Sequence, residues 1–188
     1  MPWKGIVNRA FTPEQFADYV EGLVFGNWRP QFVVLHNTAA PTLAQWHGPT
    51  PPEQRILNLE QFYRDKNKWS AGPHLFVADD LIWAFTPLTT SGVHSPSWNS
   101  ISWGVEMVGD YNREDFDHGP GGAVAENTVR ALATLHSVLG LDPRQLKLHK
   151  EDPLTDHDCP GRRVDKATMI KRIQEAMGGD HPLGAATS

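Results

Sequence analysis

Phe32-Val33-Val34-Leu35-His36-Asn37-Thr38 is the stretch that decides the fold. Its first four residues are apolar and partly β-branched, which reads as a short buried strand. The strand runs out into His36, Asn37 and Thr38, followed by small residues and Pro41. A strand that ends in polar residues and a loop holds those side chains ready for a site.

The elements on either side of this strand alternate in kind. Upstream, Thr12-Pro13-Glu14-Gln15 is a helix start, with Thr12 as N-cap and Gln15 at the capping-box position. Phe16, Tyr19, Val20, Leu23 and Val24 then recur at helical spacing as far as Gly26-Asn27. Downstream, residues 40–52 read as a proline-rich loop. Residues 53–66 form an amphipathic helix with Ile56, Leu59, Phe62 and Tyr63 on one face. Residues 74–78 and 81–86 form two strands joined by a turn at Asp79-Asp80. A loop at 91–99 leads into a strand at 101–108, and 111–122 reads as a polar, glycine-rich surface loop. Residues 123–139 are a helix stopped by Gly140. A short strand at 145–149, a loop at 150–163 and a helix at 165–177 complete the pattern. Strands alternating with helices give an α/β sheet with helices on its faces. No repeat or linker divides the chain, so one domain is expected over 1–178, with a flexible tail at 179–188.

Composition narrows the function. The chain has 188 residues, 39% hydrophobic and 21% charged, enough for one buried core. A net charge of −5 argues against nucleic acid and against an anionic membrane surface as partner. No run approaches the ~20 apolar residues of a membrane span. The first residues show no apolar segment behind a basic start, so synthesis in the cytoplasm is expected. A single cysteine, Cys159, precludes an intramolecular disulfide. Seven tryptophans are many for this length, and Trp46 and Trp69 suit either glycan stacking or the core.

Three residues carry the strongest chemical signal. His36 and His149 both stand at strand ends, and Cys159 lies in Asp158-Cys159-Pro160-Gly161, where a Pro-Gly turn would aim the sulfur. Two imidazoles and a thiolate form a set that zinc favours, leaving a fourth position for water. Spacing alone does not show that these three distant residues meet. Glu106 is a further candidate, because a carboxylate in the apolar strand Trp103-Gly104-Val105-Glu106-Met107-Val108 is costly unless it is paired or working.

These segments carry a resemblance. Val33-Val34-Leu35-His36-Asn37-Thr38, then Gly92-Val93-His94 through Asn99 to Trp103-Gly104-Val105-Glu106-Met107-Val108-Gly109, then Leu148-His149 through Asp158-Cys159-Pro160-Gly161, resemble the N-acetylmuramoyl-L-alanine amidase type 2 family over roughly residues 30 to 165. The resemblance implies a central mixed β-sheet flanked by helices on both faces, with a zinc groove at one edge. It implies zinc as cofactor, held by His36, His149 and Cys159, and hydrolysis of the amide between N-acetylmuramic acid and L-alanine in peptidoglycan. The resemblance also implies the role of proton handler for Glu106, as in some members of the family. His157 stands where many relatives have an oxyanion-stabilising Lys, a departure that an imidazole N–H could make good. Pro73 stands where several phage-type members have a catalytic Tyr, which gives Glu106 more of the proton work. Asn37, Thr38, His74, His94 and Asn99 fall in family-like segments, as substrate-binding positions or as supports for the metal ligands.

The implied partner is peptidoglycan, bound by a monomer. The setting that suits such a chain is a phage or prophage endolysin, made in the cytoplasm and acting on the wall after release. Alternatives are a cytosolic recycling amidase for anhydro-muropeptides and a non-catalytic peptidoglycan-binding module, though such modules typically lack the cysteine. A Cys-His peptidase using Cys159 is a further alternative.

Overall fold

The computed structural model describes residues 2–178, so the tail expected at 179–188 lies outside the described residues. Its strands are β1 (Arg9–Phe11), β2 (Phe32–Asn37), β3 (Leu75–Val77), β4 (Ile82–Ala84), β5 (Ser102–Met107) and β6 (Lys147–Leu148). They form one sheet in the order β1-β4-β3-β5-β2-β6. Neighbours among β3, β5, β2 and β6 run parallel, whereas β4 pairs antiparallel with both β3 and β1. The helices are α1 (Pro13–Glu21), α2 (Leu43–Trp46), α3 (Pro52–Gln61), α4 (Gly119–Leu139) and α5 (Lys166–Gly178). This is the α/β fold that the pattern implied, with the mixed sheet that the resemblance implied. No helix among the described residues is long and apolar enough to cross a membrane.

Pleating sorts the central strands into two faces. Val33 and Leu35 of β2, with Trp103, Val105 and Met107 of β5, point into the main apolar core, which α4 supplies with Val124, Val129, Leu132 and Leu135. The intervening residues point the other way. Phe32, Val34 and His36 are in register with Ser102, Gly104 and Glu106. The polar face of the sheet centre is therefore set by strand register, with His36 directly across from Glu106.

Several boundaries differ from the sequence expectation, each for a local reason. The first helix stops at Glu21, capped by Gly22, and leaves Val24 89% exposed, so apolar spacing alone overran the helix end. A short helix, α2, sits inside the expected loop, started by a Thr42–Gln45 capping box. The helix expected at 53–66 loosens into a π-helical turn over Phe62–Lys66. Strand β1 is only three residues long, too short to show periodicity. Residues 111–122 are not merely a surface loop. Tyr111 and Phe116 are buried, packed edge to face at 4.7 Å, and the Tyr111 hydroxyl donates to the Val108 carbonyl at 2.6 Å. The strand expected at 145–149 shrinks to two residues between a 3-10 turn at Pro143–Gln145 and another that begins at His149.

Two substitutions separate core from cap. Leu35 is fully buried in the central strand, so Leu35→Ala should lower stability by about 2–5 kcal/mol in urea unfolding. Thr12 accepts from the Gln15 amide at 3.3 Å and its own amide donates to Gln15 Oε1 at 2.9 Å, so Thr12→Ala should cost about 1 kcal/mol. Equal losses for the two variants would contradict this assignment of the core.

Candidate metal centre

The C-terminal ends of parallel strands are where an α/β sheet opens a crevice. Here β2 ends near His36, β5 near Glu106, and β6 leads directly into His149. Cys159 arrives from the loop that follows. A hydrogen bond from the Lys150 amide to the Cys159 carbonyl, 2.7 Å, closes that loop on itself. Gly161 holds the turn after the cysteine at φ +109°, where a side chain would collide with the Tyr111 backbone. The Asn37 amide donates to the Cys159 sulfur at 3.3 Å, tying the loop to the end of β2.

The result is a cluster. One donor atom each from His36, His149 and Cys159 lie within 4.8 Å of one another. The His36 and His149 rings are 4.2 Å apart. Glu106 Oε1 lies 3.9 Å from His36 Nδ1, while Glu106 Oε2 is buried with no hydrogen-bond partner among the described residues. His149 Nε2 is likewise buried and unpartnered. Orphaned buried polar atoms are rare and call for a ligand or ion.

Electrostatics point the same way. Burial, followed by the neighbouring imidazoles of His94, His149 and His157, holds His36 well below its usual range. Burial and then His157 bring His149 down to about 4. Both rings are therefore neutral near pH 7 and available as lone-pair donors. Burial pushes the Cys159 thiol up, reinforced by Glu106 and opposed by the Asn37 amide. Burial alone raises Glu106 to about 8. The pocket thus disfavours negative charge on two acids that sit beside two neutral imidazoles, and a divalent cation would supply the missing positive charge. The N/S donor set fits zinc.

The remaining predicted residues divide. His157 packs edge-on against His149 with ring centroids 4.4 Å apart and, although exposed, lines the cleft. His94 and Asn37 also line it. Thr38, His74 and Asn99 are not among its lining residues. The Thr38 hydroxyl donates to the Pro41 carbonyl at 2.6 Å and accepts from the Gly109 amide at 3.0 Å. His74 is fully buried, with Nδ1 accepting from Gly104 and Nε2 at 2.9 Å from the Thr90 carbonyl. Asn99 Oδ1 accepts the His94 and Ser95 amides at 2.7 and 2.8 Å. These three shape the backbone around the cleft. Trp46 belongs to the core, 1% exposed, whereas Trp69 faces the cleft.

Tyr63 is a lining residue that the sequence reading assigned only to a helix face. It stacks on Trp69 with ring centroids 5.0 Å apart and planes 6° from parallel. Burial, then Glu106 and Cys159, raise its pKa well above the ordinary phenol value, so it is a neutral hydroxyl beside the cluster. The available signal was two adjacent aromatics at a helix end, and the π-helical turn that redirects them does not show in apolar spacing.

A family model described as N-acetylmuramoyl-L-alanine amidase matches residues 26–162 of the chain. Among solved structures, the fold is similar to Drosophila PGRP-LB, with a TM-score of 0.61, 20% identity, and coverage of 76% of this chain and 85% of that one. It is similar also to the endolysin N-acetylmuramoyl-L-alanine amidase LysCS from Clostridium intestinale URNW, with a TM-score of 0.61, 21% identity, and coverage of 79% and 86%. A third is Drosophila PGRP-LB, as a mutant in complex with tracheal cytotoxin, with a TM-score of 0.62, 19% identity, and coverage of 77% and 82%. A comparison with the curated proteins finds no match.

The loop that carries two of the three donors is braced from one side by Asp152, which is 1% exposed. Its carboxylate accepts from the Ser95 and Ser97 hydroxyls, both at 2.5 Å, and from the Leu154 amide at 3.0 Å. Burial works against its ionisation, but these hydrogen bonds outweigh it and hold the pKa at about 2. A carboxyl depressed in the folded state stabilises the fold above its unfolded pKa of about 4, and that contribution is lost as pH falls toward 2. Asp152→Asn should therefore lower stability by on the order of 2 kcal/mol at pH 7, with the gap to the unmodified protein closing between pH 4 and 2. A gap that stays constant in urea unfolding across that range would contradict the charge-based brace.

Proposed function

The chain belongs to the N-acetylmuramoyl-L-alanine amidase family, and from that membership we propose that it hydrolyses the amide joining N-acetylmuramic acid to L-alanine in peptidoglycan. We further propose that zinc is its cofactor, held by His36, His149 and Cys159. The observation that carries the reading is the cluster itself: three donors within 4.8 Å of one another, beside a buried His149 nitrogen that has no partner among the described residues. The fold neighbours, an endolysin amidase and PGRP-LB in complex with tracheal cytotoxin, support a cell-wall ligand.

A bound zinc ion supplies a Lewis acid that polarises the scissile carbonyl and acidifies water. The chain's own groups do the rest. Glu106 stands at the cluster with an unpartnered Oε2. Its carboxylate accepts a proton from the attacking water and returns it to the departing L-alanine nitrogen. Burial raises its pKa to about 8, and a bound cation would draw it down, toward the range where one group can both take and give a proton. As the water oxygen bonds to the carbonyl carbon, charge gathers on the carbonyl oxygen. His157, at the cleft mouth against His149, donates a ring N–H to that oxygen. Tyr63 adds a neutral hydroxyl to the lining of the same cleft. The C–N bond then breaks, giving the lactyl carboxylate and a free L-alanine amine. Trp69 presents an aromatic face to the ligand along the same cleft.

An endolysin role, with synthesis in the cytoplasm and action on the wall after release, is the setting we propose. Cys159 favours hydrolysis over mere binding, since it completes a metal set that a binding module does not need. Purified sacculi and soluble anhydro-muropeptides, digested in parallel and read by mass spectrometry, test the reaction and the setting. Free stem peptides beginning with L-Ala, released from sacculi and abolished by chelation, are the expected products. Preference for the soluble substrate would overturn the endolysin role, and binding without release would overturn hydrolysis. Glu106→Gln should lower kcat by about 10²–10⁴-fold while zinc content stays unchanged. Activity that survives that change would remove Glu106 from the proton path.

A further inference from the structure

A histidine can serve as a metal ligand only through a nitrogen that carries no proton, so something must decide which nitrogen of His36 stays bare. The ring is 2% exposed, and water does not make that choice. His36 Nε2 lies 3.2 Å from His94 Nδ1, and the two rings meet edge to face at 89°. One of the two nitrogens must be the donor, and the other end of His94 settles which.

His94 Nε2 lies 3.4 Å from the Ser102 carbonyl and 3.5 Å from the Ser102 hydroxyl oxygen. The carbonyl can only accept. The hydroxyl has one hydrogen, which it donates to the Trp98 carbonyl at 2.7 Å, so toward His94 it also can only accept. His94 therefore carries its proton on Nε2 and offers the Nδ1 lone pair to His36. His36 must then be protonated on Nε2, which leaves its Nδ1 bare on the side of Glu106, at 3.9 Å.

The fold holds this relay in place from several elements. Asn99 Oδ1 accepts the His94 amide at 2.7 Å and fixes the backbone below the ring. The ring lies flat over Gly104 of β5, where any side chain would run into it. Ser102 belongs to the same face of β5, two residues before that glycine. A glycine, a serine and an asparagine thus share one purpose: each seats His94 or sets its proton.

We propose that His94 is a positioning residue that selects the His36 tautomer through the Ser102–His94–His36 relay and thereby makes His36 Nδ1 the metal-binding atom. The proposal rests on the zinc reading for its consequence, but the tautomer itself can be measured without metal. Long-range ¹H–¹⁵N spectra of the metal-free protein should show His36 protonated on Nε2 and bare on Nδ1. A His36 with its proton on Nδ1 would overturn the relay whether or not zinc binds. Competition with a chromophoric chelator then gives the zinc affinity. His94→Phe keeps a ring but removes the acceptor, and should weaken zinc binding by about 10–100-fold. His94→Asn returns an acceptor oxygen near the Nδ1 position and should recover most of that loss. Wild-type zinc affinity in His94→Phe would overturn the positioning role. Should His94→Phe fail to fold, judged by its melting transition, the asparagine variant and the spectra of the unmodified protein still decide. An unmodified protein that takes up no zinc would sink the zinc reading, while its His36 spectrum would still confirm or refute the relay.

Discussion

Backbone hydrogen bonds between β2 and β5 pair His36 with Glu106, and those between β2 and β6 place Leu148, the residue before His149, beside Leu35. Everything at the site depends on that register. A slip of one residue would turn His36 and Glu106 into the apolar core and bring Leu35 and Val105 into the cleft. The register is secured by the opposite face, where Val33, Leu35, Trp103, Val105 and Met107 are all fully buried. The core and the reactive face are thus two sides of the same four parallel strands.

Burial then sets the chemistry. Near pH 7 it neutralises His36 and His149 and resists charge on Cys159 and Glu106. A cluster of this kind has lone pairs and acidic hydrogens to offer but no positive charge of its own. Asp152, a nearby group held firmly as an anion, directs its carboxylate to serine hydroxyls and an amide outside the cluster. The two functions are kept apart: Asp152 fixes the loop, and the cluster is left for a cation.

How much of this was legible in the sequence follows from which signals are local. The strand around His36 was readable because apolar, β-branched residues end abruptly in polar ones. The Thr12–Gln15 cap was readable because its chemistry spans three residues. Glu106 stood out because a carboxylate in an apolar strand needs a reason. What stayed hidden was long-range. That His36, His149 and Cys159 converge depends on a parallel pairing that spacing does not reveal, and the resemblance to a known family was needed to bring them together. Tyr63 escaped because a π-helical turn re-aims it after a run of ordinary helical spacing. Tyr111 and Phe116 escaped because glycine and polar neighbours masked two core aromatics. The division between His94, which touches His36, and His74, whose nitrogens are taken by backbone groups, rests on hydrogen bonds that no motif encodes.

The central claim is that two imidazoles and the lone cysteine hold one zinc ion. X-ray absorption at the zinc edge of the purified, zinc-loaded protein reads that donor set directly. The expected result is one sulfur at about 2.3 Å and two imidazole nitrogens at about 2.0–2.1 Å, with the sulfur contribution lost in Cys159→Ser. A zinc environment of nitrogen and oxygen alone in the unmodified protein would contradict it.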